Sequence, residues 1–94
     1  MRESTISKQQ GWGPRSPFAT AVGQTLRTER RRLRLSQQEL AGGFSASFVS
    51  RVELGDAVPS LPALAYLADR IGLSLADFFD RVADRLELRR GPPG

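Results

Sequence analysis

Apolar side chains recur at intervals of three and four residues along most of this chain, which is the spacing of one face of an α-helix. No segment shows the two-residue alternation of a β-strand. The predicted fold class is therefore all-α. The predicted helices cover residues 18–34, 37–42, 45–54, 60–72 and 74 onward, with the last running past residue 79.

The two central helices are short and closely linked. Ser36 and Glu39 have the spacing of a capping box, in which the serine caps the helix and the acid three residues on bonds back to it. Gly42 and Gly43 then interrupt the helical pattern, since glycine adopts the conformations that a tight turn needs. A second capping serine, Ser45, follows. The pattern predicts two helices joined by a glycine-containing turn.

The helix after this turn has one narrow apolar face. Val49 and Val52 lie three residues apart and share a helical face. The other positions carry small polar groups and one long cation. Such a surface is poorly suited to a catalytic pocket and well suited to a helix lying in a DNA groove. The residues on these other positions are Ala46, Ser47, Ser50 and Arg51.

One charged residue interrupts the apolar stripe of the first helix. Arg30 recurs in register with Val22, Leu26 and Leu33. A buried arginine needs an acidic partner, and Glu53, at the end of the valine face, is the candidate. The alternative is that Arg30 extends along the surface to reach water.

Charge is distributed unevenly over the 94 residues. The net charge is +4, but residues 1–51 carry a balance of +6 and residues 52–94 a balance of −2. A basic first half indicates a face directed at a polyanion. The chain has no cysteine and no histidine, which excludes disulfides, thiolate zinc sites and histidine-based catalysis. Every apolar run is shorter than the roughly 18 residues that a membrane span requires.

Residues 1–17 show no helical or strand period and are predicted to form a flexible basic arm. Basic arms can enter a DNA minor groove, but a solvated tail explains the same composition. We therefore divide the chain into the arm (1–17), a helical domain (18–90) and a short tail (91–94). The cations of the arm are Arg2, Lys8 and Arg15.

These motifs, in this order and spacing, closely resemble the lambda-repressor-like, XRE-type helix-turn-helix family over residues 22–79. The resemblance rests on Arg30, Leu35–Ala41, Phe44–Ser45, Val49–Glu53, Gly55 and Pro59–Ser60. It implies a five-helix domain in which helix 3 enters the major groove of double-stranded DNA and helix 2 crosses the phosphate backbone. It also implies that Arg30 and Glu53 form an internal, structural ion pair.

The resemblance implies a set of DNA-contacting residues. Gln37 would open helix 2 beside a phosphate, and Arg51 is the best candidate for reading a guanine, whose two acceptors match the guanidinium fork. Phe48 would either contact the DNA or cover the edge of the core. The full set is Gln37, Ser45, Ala46, Ser47, Phe48, Ser50 and Arg51.

The sequence departs from the family pattern in three places. The turn between Ala41 and Ser45 is about two residues shorter than usual, so helix 2 should end early. Asp56 stands in a loop where many members carry cations that grip phosphate. In helix 5, Phe79, Val82 and Leu86 have no evident partner within a five-helix domain. An unpaired apolar stripe predicts self-association, here a homodimer.

The resulting expectation is a cytoplasmic, bacterial or phage-encoded transcription regulator, most simply a repressor, that binds an inverted-repeat operator as a homodimer. The alternative is a protein-interaction module, such as an antitoxin or a partner-binding regulator, built on the same fold. No catalytic constellation is visible, so we expect neither an enzyme nor a cofactor.

Overall fold

The structure, a computed structural model, describes residues 11–87. Within this range the chain folds into five α-helices and no strand, which confirms the predicted all-α class. No helix of the described chain is long and apolar enough to cross a membrane. The helices are α1 (Pro17–Arg32), α2 (Gln37–Ala41), α3 (Ala46–Glu53), α4 (Leu61–Arg70) and α5 (Leu75–Leu86).

Each helix begins after a serine whose hydroxyl accepts a hydrogen bond from the backbone amide three residues later. This bond satisfies one of the amides that a helix start leaves without a partner. The first of these serines, Ser16, was not predicted as a cap. Consequently α1 begins at Pro17 and ends at Arg32, slightly earlier than expected at both ends. The five caps are Ser16, Ser36, Ser45, Ser60 and Ser74.

The core lies where α1 meets α3 and α5. Its largest fully buried side chains include Leu26, Leu40, Leu67 and Phe78. Gly23 allows α1 to lie against the end of α3, because a β-carbon at this position would be only 2.7 Å from the carbonyl oxygen of Glu53. The recognition element of the predicted helix-turn-helix is therefore packed directly on the longest helix of the domain.

The prediction that the stripe on α5 lacks an intrachain partner is wrong. Val82 is only 2% exposed within the core, and Leu86 packs against it. The ring of Phe79 stacks on that of Phe18, with 6.4 Å between centroids. The error arose because an apolar stripe shows that a partner exists but not which element supplies it, and here α1 supplies it. These three residues are consequently no longer a basis for a dimer interface.

Part of the segment predicted as a flexible arm packs on the helical domain. The amide of Arg15 donates to the carbonyl of Gly55 at 2.7 Å, and the Trp12 ring meets the Phe18 ring edge-on at 5.1 Å. Residues 12–16 thus form a turn that contacts the helical domain. Residues 1–10, with Arg2 and Lys8, and residues 88–94, with the predicted tail, lie outside the described chain.

Candidate nucleic-acid interface

The turn between α2 and α3 is short, as the sequence predicted, and α2 ends at Ala41. Gly42 has φ +57°, a conformation that glycine adopts without strain. A β-carbon on Gly42 would also collide with the side chains of Tyr66 and Arg70. Its dihedral angle therefore favours glycine here, and a larger residue would also displace the ends of the Tyr66 and Arg70 side chains.

Two residues of α4 hold this turn in place. The Tyr66 hydroxyl accepts a hydrogen bond from the amide of Gly43 at 2.9 Å. Arg70 donates to the carbonyls of Leu40 and Glu39 at 2.8 and 2.7 Å, which satisfies carbonyls at the end of α2. The Arg70 guanidinium also lies 5.7 Å from the centroid of the Tyr66 ring. Sequence reasoning missed both residues, although their four-residue spacing places them on one helical face.

The surface of α3 divides as predicted into a buried and an accessible side. Val49 and Val52 are fully buried, whereas Ser47 and Arg51 are exposed and Ala46 and Ser50 half-buried. Within residues 11–87, no hydrogen bond or ion pair occupies the side chains of Ser47, Ser50 or Arg51. These groups are free to bind an external ligand that offers hydrogen-bond acceptors.

Phe48 covers the edge of the core. It is half-buried against the core cluster, and its ring lies 5.1 Å from that of Phe44. The hydroxyl of Ser45 accepts from the amide of Phe48 at 3.0 Å and so caps α3. Of the two roles considered for Phe48, packing is therefore visible in the fold, and DNA contact remains a proposal.

Arg30 and Glu53 form a bidentate pair inside the domain. Their Nε–Oε2 and Nη2–Oε1 distances are 2.7 and 3.0 Å, and the two side chains are 11% and 3% exposed. The hydrogen bonds that Arg30 donates to Glu53 raise the pKa of Arg30 above its usual value and outweigh the opposing effect of desolvation. The alternative of an arginine that extends to water is thereby excluded.

The same pair connects three parts of the domain. Arg30 also donates to the carbonyl of Leu35 at 2.8 Å, in the turn between α1 and α2. Gln37, the first residue of α2, donates through Nε2 to Oε1 of Glu53 at 3.0 Å. Gln37 thus braces α3 from the start of α2. This one network links α3 to both α1 and α2, in addition to the apolar packing of the core.

The start of α2 carries a complete capping box. The amide of Ser36 donates to the Glu39 carboxylate at 2.8 Å, and the Ser36 hydroxyl accepts from the amide of Glu39 at 2.9 Å. The hydrogen bond from the Ser36 amide is the main reason why the pKa of Glu39 is lowered. A lowered pKa means that this contribution to stability is present at neutral pH and is lost as the pH falls through the pKa of the folded state.

On the far side of α3, the α3–α4 loop carries an acid instead of the expected cation. Asp56 lies 3.8 Å from the Arg15 guanidinium, in an exposed ion pair. Such a pair contributes little to stability. It does reduce the repulsion that Asp56 would exert on a nearby anion.

An all-α domain with two short helices joined by a tight turn, the second presenting an unoccupied polar face, is a helix-turn-helix domain. The profile of a family described as helix-turn-helix domain matches residues 21–78, and the chain belongs to this family. The predicted family resemblance is confirmed at this level.

Two solved structures have the same fold. The clp gene regulator ClgR from Corynebacterium glutamicum is 29% identical, with a TM-score of 0.66 over 71% of this chain and 90% of that one. The restriction–modification controller protein C.Esp1396I, solved as a tetramer with its natural 35-base-pair operator, is 15% identical, with a TM-score of 0.69 over 74% and 95% of the two chains. At this identity the second likeness concerns the fold alone. No curated protein sequence matches the chain.

Replacing Glu53 by alanine tests the buried network. We expect Glu53→Ala to lower the free energy of unfolding by about 3–5 kcal/mol, because it leaves the Arg30 guanidinium buried without its acid. Chemical denaturation monitored by circular dichroism measures this change. As a control, Asp69→Ala removes one exposed acid from α4 and should stay within about 0.5 kcal/mol of the unaltered chain. Equal stability of the two variants would contradict a structural role for the pair.

Proposed function

We propose that this chain is a sequence-specific DNA-binding transcription regulator that places α3 in the major groove. The observation that carries the proposal is the accessible polar face of α3, whose free side chains stand on a helix held by a buried ion pair. The fold it shares with an operator-bound controller protein and with a clp gene regulator supports the proposal. We further propose that it acts as a repressor in the cytoplasm, by occupying a promoter.

Each side chain of the interface has a proposed role. Arg51 reads a guanine through both arms of its guanidinium, while Ser47 bonds a base or a phosphate and Ala46 contacts a thymine methyl group. Ser50 and Phe48 flank these contacts. Gln37 and Ser45, at the starts of α2 and α3, lie beside phosphates. In this division, side chains of α3 read the base sequence, and the starts of α2 and α3 position the domain on the phosphate backbone.

The DNA-binding proposal predicts a steep dependence of affinity on salt. Each phosphate that a cation neutralises releases counterions and contributes about 0.9 to the slope of log affinity against log salt. We expect the chain to bind a mixed-sequence duplex at about 50 mM salt and to lose at least about tenfold in affinity by about 200 mM. Fluorescence anisotropy measures this binding. No binding at the lower salt concentration would refute the proposal.

We expect Arg51 to determine which base is preferred at one position of the binding site. We expect Arg51→Ala to weaken binding to the preferred site by about 1–3 kcal/mol and to flatten the preference at one position only. Affinities for a panel of single base-pair variants measure both effects. The matched control is Arg27→Ala, which removes an exposed arginine from α1 and should leave every base preference intact. A base preference unchanged in Arg51→Ala would place the reading of sequence elsewhere.

We propose that two copies act together on an inverted repeat. With eight residues, α3 is about 12 Å long, so it spans only a few base pairs of one half-site. The stripe on α5 packs against α1, with Val82 buried and Phe79 and Leu86 half-buried, so it leaves little apolar surface for a partner. Exposed apolar side chains instead occur between the end of α3 and the first residue of α4, where a second copy would set the two recognition helices side by side. They are Leu54, Val58 and Leu61.

This placement predicts that polar substitutions beside α3 dissociate the dimer. We expect the double variant Leu54→Ser, Leu61→Ser to sediment as a monomer and to keep its helical content, because both side chains are more than half exposed in one copy. Sedimentation equilibrium measures the mass. A double variant that still dimerises would refute this interface. An unaltered chain that stays monomeric even on an inverted repeat would favour the alternative, a module that binds a different protein.

A further inference from the structure

Three helices of this domain, α1, α3 and α4, end with the same hydrogen-bond pattern. Glycine stands at its critical position after α3 and α4 but not after α1. At the end of α4, the amide of Gly72 donates to Asp69 and that of Leu73 to Ala68. At the end of α1, the amide of Arg34 donates to Arg31 and that of Leu35 to Arg30. The pattern requires a left-handed residue after the helix, which is usually glycine. Gly72 meets the requirement at φ +79°, whereas α1 uses Arg34 at φ +61°.

An arginine in this conformation is strained. A left-handed backbone brings the β-carbon close to the following carbonyl oxygen, and arginine gains nothing from the local hydrogen bonds that make the conformation tolerable for asparagine. The Arg34 side chain is exposed, and no hydrogen bond or ion pair holds it within residues 11–87. The backbone hydrogen bonds of the turn are those that glycine would also make, so no interaction of the Arg34 side chain in the described fold offsets the strain.

The other left-handed residues that are not glycine differ from Arg34. Arg15 has an acidic partner in Asp56, and its amide bonds the carbonyl of Gly55. Glu87 is the last residue of the described chain. Arg34 alone combines left-handed strain with an unoccupied guanidinium in the interior of the described chain. Strain of this kind is commonly found at functional sites.

The turn that carries Arg34 is fixed relative to the recognition helix. The carbonyl of the next residue, Leu35, accepts a hydrogen bond from Arg30, which is itself paired with Glu53 at the end of α3. Gln37 follows three residues after Arg34, so their backbones are at most about 11 Å apart. In the proposed docking the start of α2 faces the sugar–phosphate backbone, and Arg34 lies beside it. The loop on the other side of α3 offers no equivalent, because Asp56 engages Arg15 there.

We propose that Arg34 is a phosphate-binding residue of the DNA interface, which contributes affinity without sequence preference at the expense of fold stability. The inference rests on the proposed DNA binding. Its guanidinium would form charge-assisted hydrogen bonds to a phosphate oxygen of the strand that α2 crosses. Arg34 would thus take over the role of the phosphate-binding cation that many family members carry in the α3–α4 loop, where this chain has Asp56.

Replacing Arg34 by glycine should change stability and binding in opposite directions. We expect Arg34→Gly to raise the melting temperature by about 4–8 °C, because it removes the left-handed strain. The same variant should bind every duplex about tenfold more weakly and reduce the salt slope by about 1. Arg34→Lys should retain most of the salt slope without the gain in melting temperature. Thermal unfolding and fluorescence anisotropy against salt, on the full chain, give the two readouts.

Arg81→Gln provides the control for charge. It removes one cation from α5, which packs on α1 and α4, while its partner Glu29 keeps the ion pair with Arg32; the salt slope should stay nearly unchanged. If Arg34→Gly binds as Arg81→Gln does, the proposal is overturned while DNA binding by the unaltered chain stands. A lower melting temperature for Arg34→Gly would also overturn it, since Arg34 would then be structural. If the unaltered chain binds no DNA, the proposed function and this inference fail together.

Discussion

The charged pair of Arg30 and Glu53 is the interaction on which the arrangement of the helices depends. Burying two charges is expensive, and a well-packed apolar pair of the same size would often give an equally stable fold. The pair instead specifies how the helices are oriented, because a bidentate contact between a guanidinium and a carboxylate requires a defined geometry. Since Leu35 and Gln37 bind the same two side chains, α1, α2 and α3 share one fixed point. The recognition surface of α3 is thus set from inside the domain.

The shortened turn is held from the other side. Few residues separate α2 from α3, so the turn has little conformational freedom. Tyr66 and Arg70 of α4 fix its geometry through hydrogen bonds. Gly42 and Gly23 permit the two close approaches, one at the turn and one where α1 crosses the end of α3. Rigid supports on both sides suit the proposed docking of α3 in the groove of a stiff duplex.

Much of this fold could be predicted because local chemistry controls it. Serine caps define all five helix starts, and each start was predicted to within about one residue. A single arginine on an apolar stripe was enough to predict its buried acid. The partner of α5 could not be predicted, because Val82 gives the same periodic signal whether α1 or a second chain covers it. The support from Tyr66 was missed for a related reason, since a hydroxyl group that accepts a hydrogen bond from a backbone amide in a distant turn leaves no local pattern. Local signals define elements, and contacts between distant elements require the structure.

Selection of binding sites from random double-stranded DNA, with the full chain, tests the central claim most directly. If α3 enters the major groove with Arg51 reading a base pair, the selection should return one enriched motif that contains guanine. If two copies act together, the motif should appear as two inverted half-sites about one helical turn apart. A selected pool without any enriched motif, from a chain verified as folded, would contradict the account.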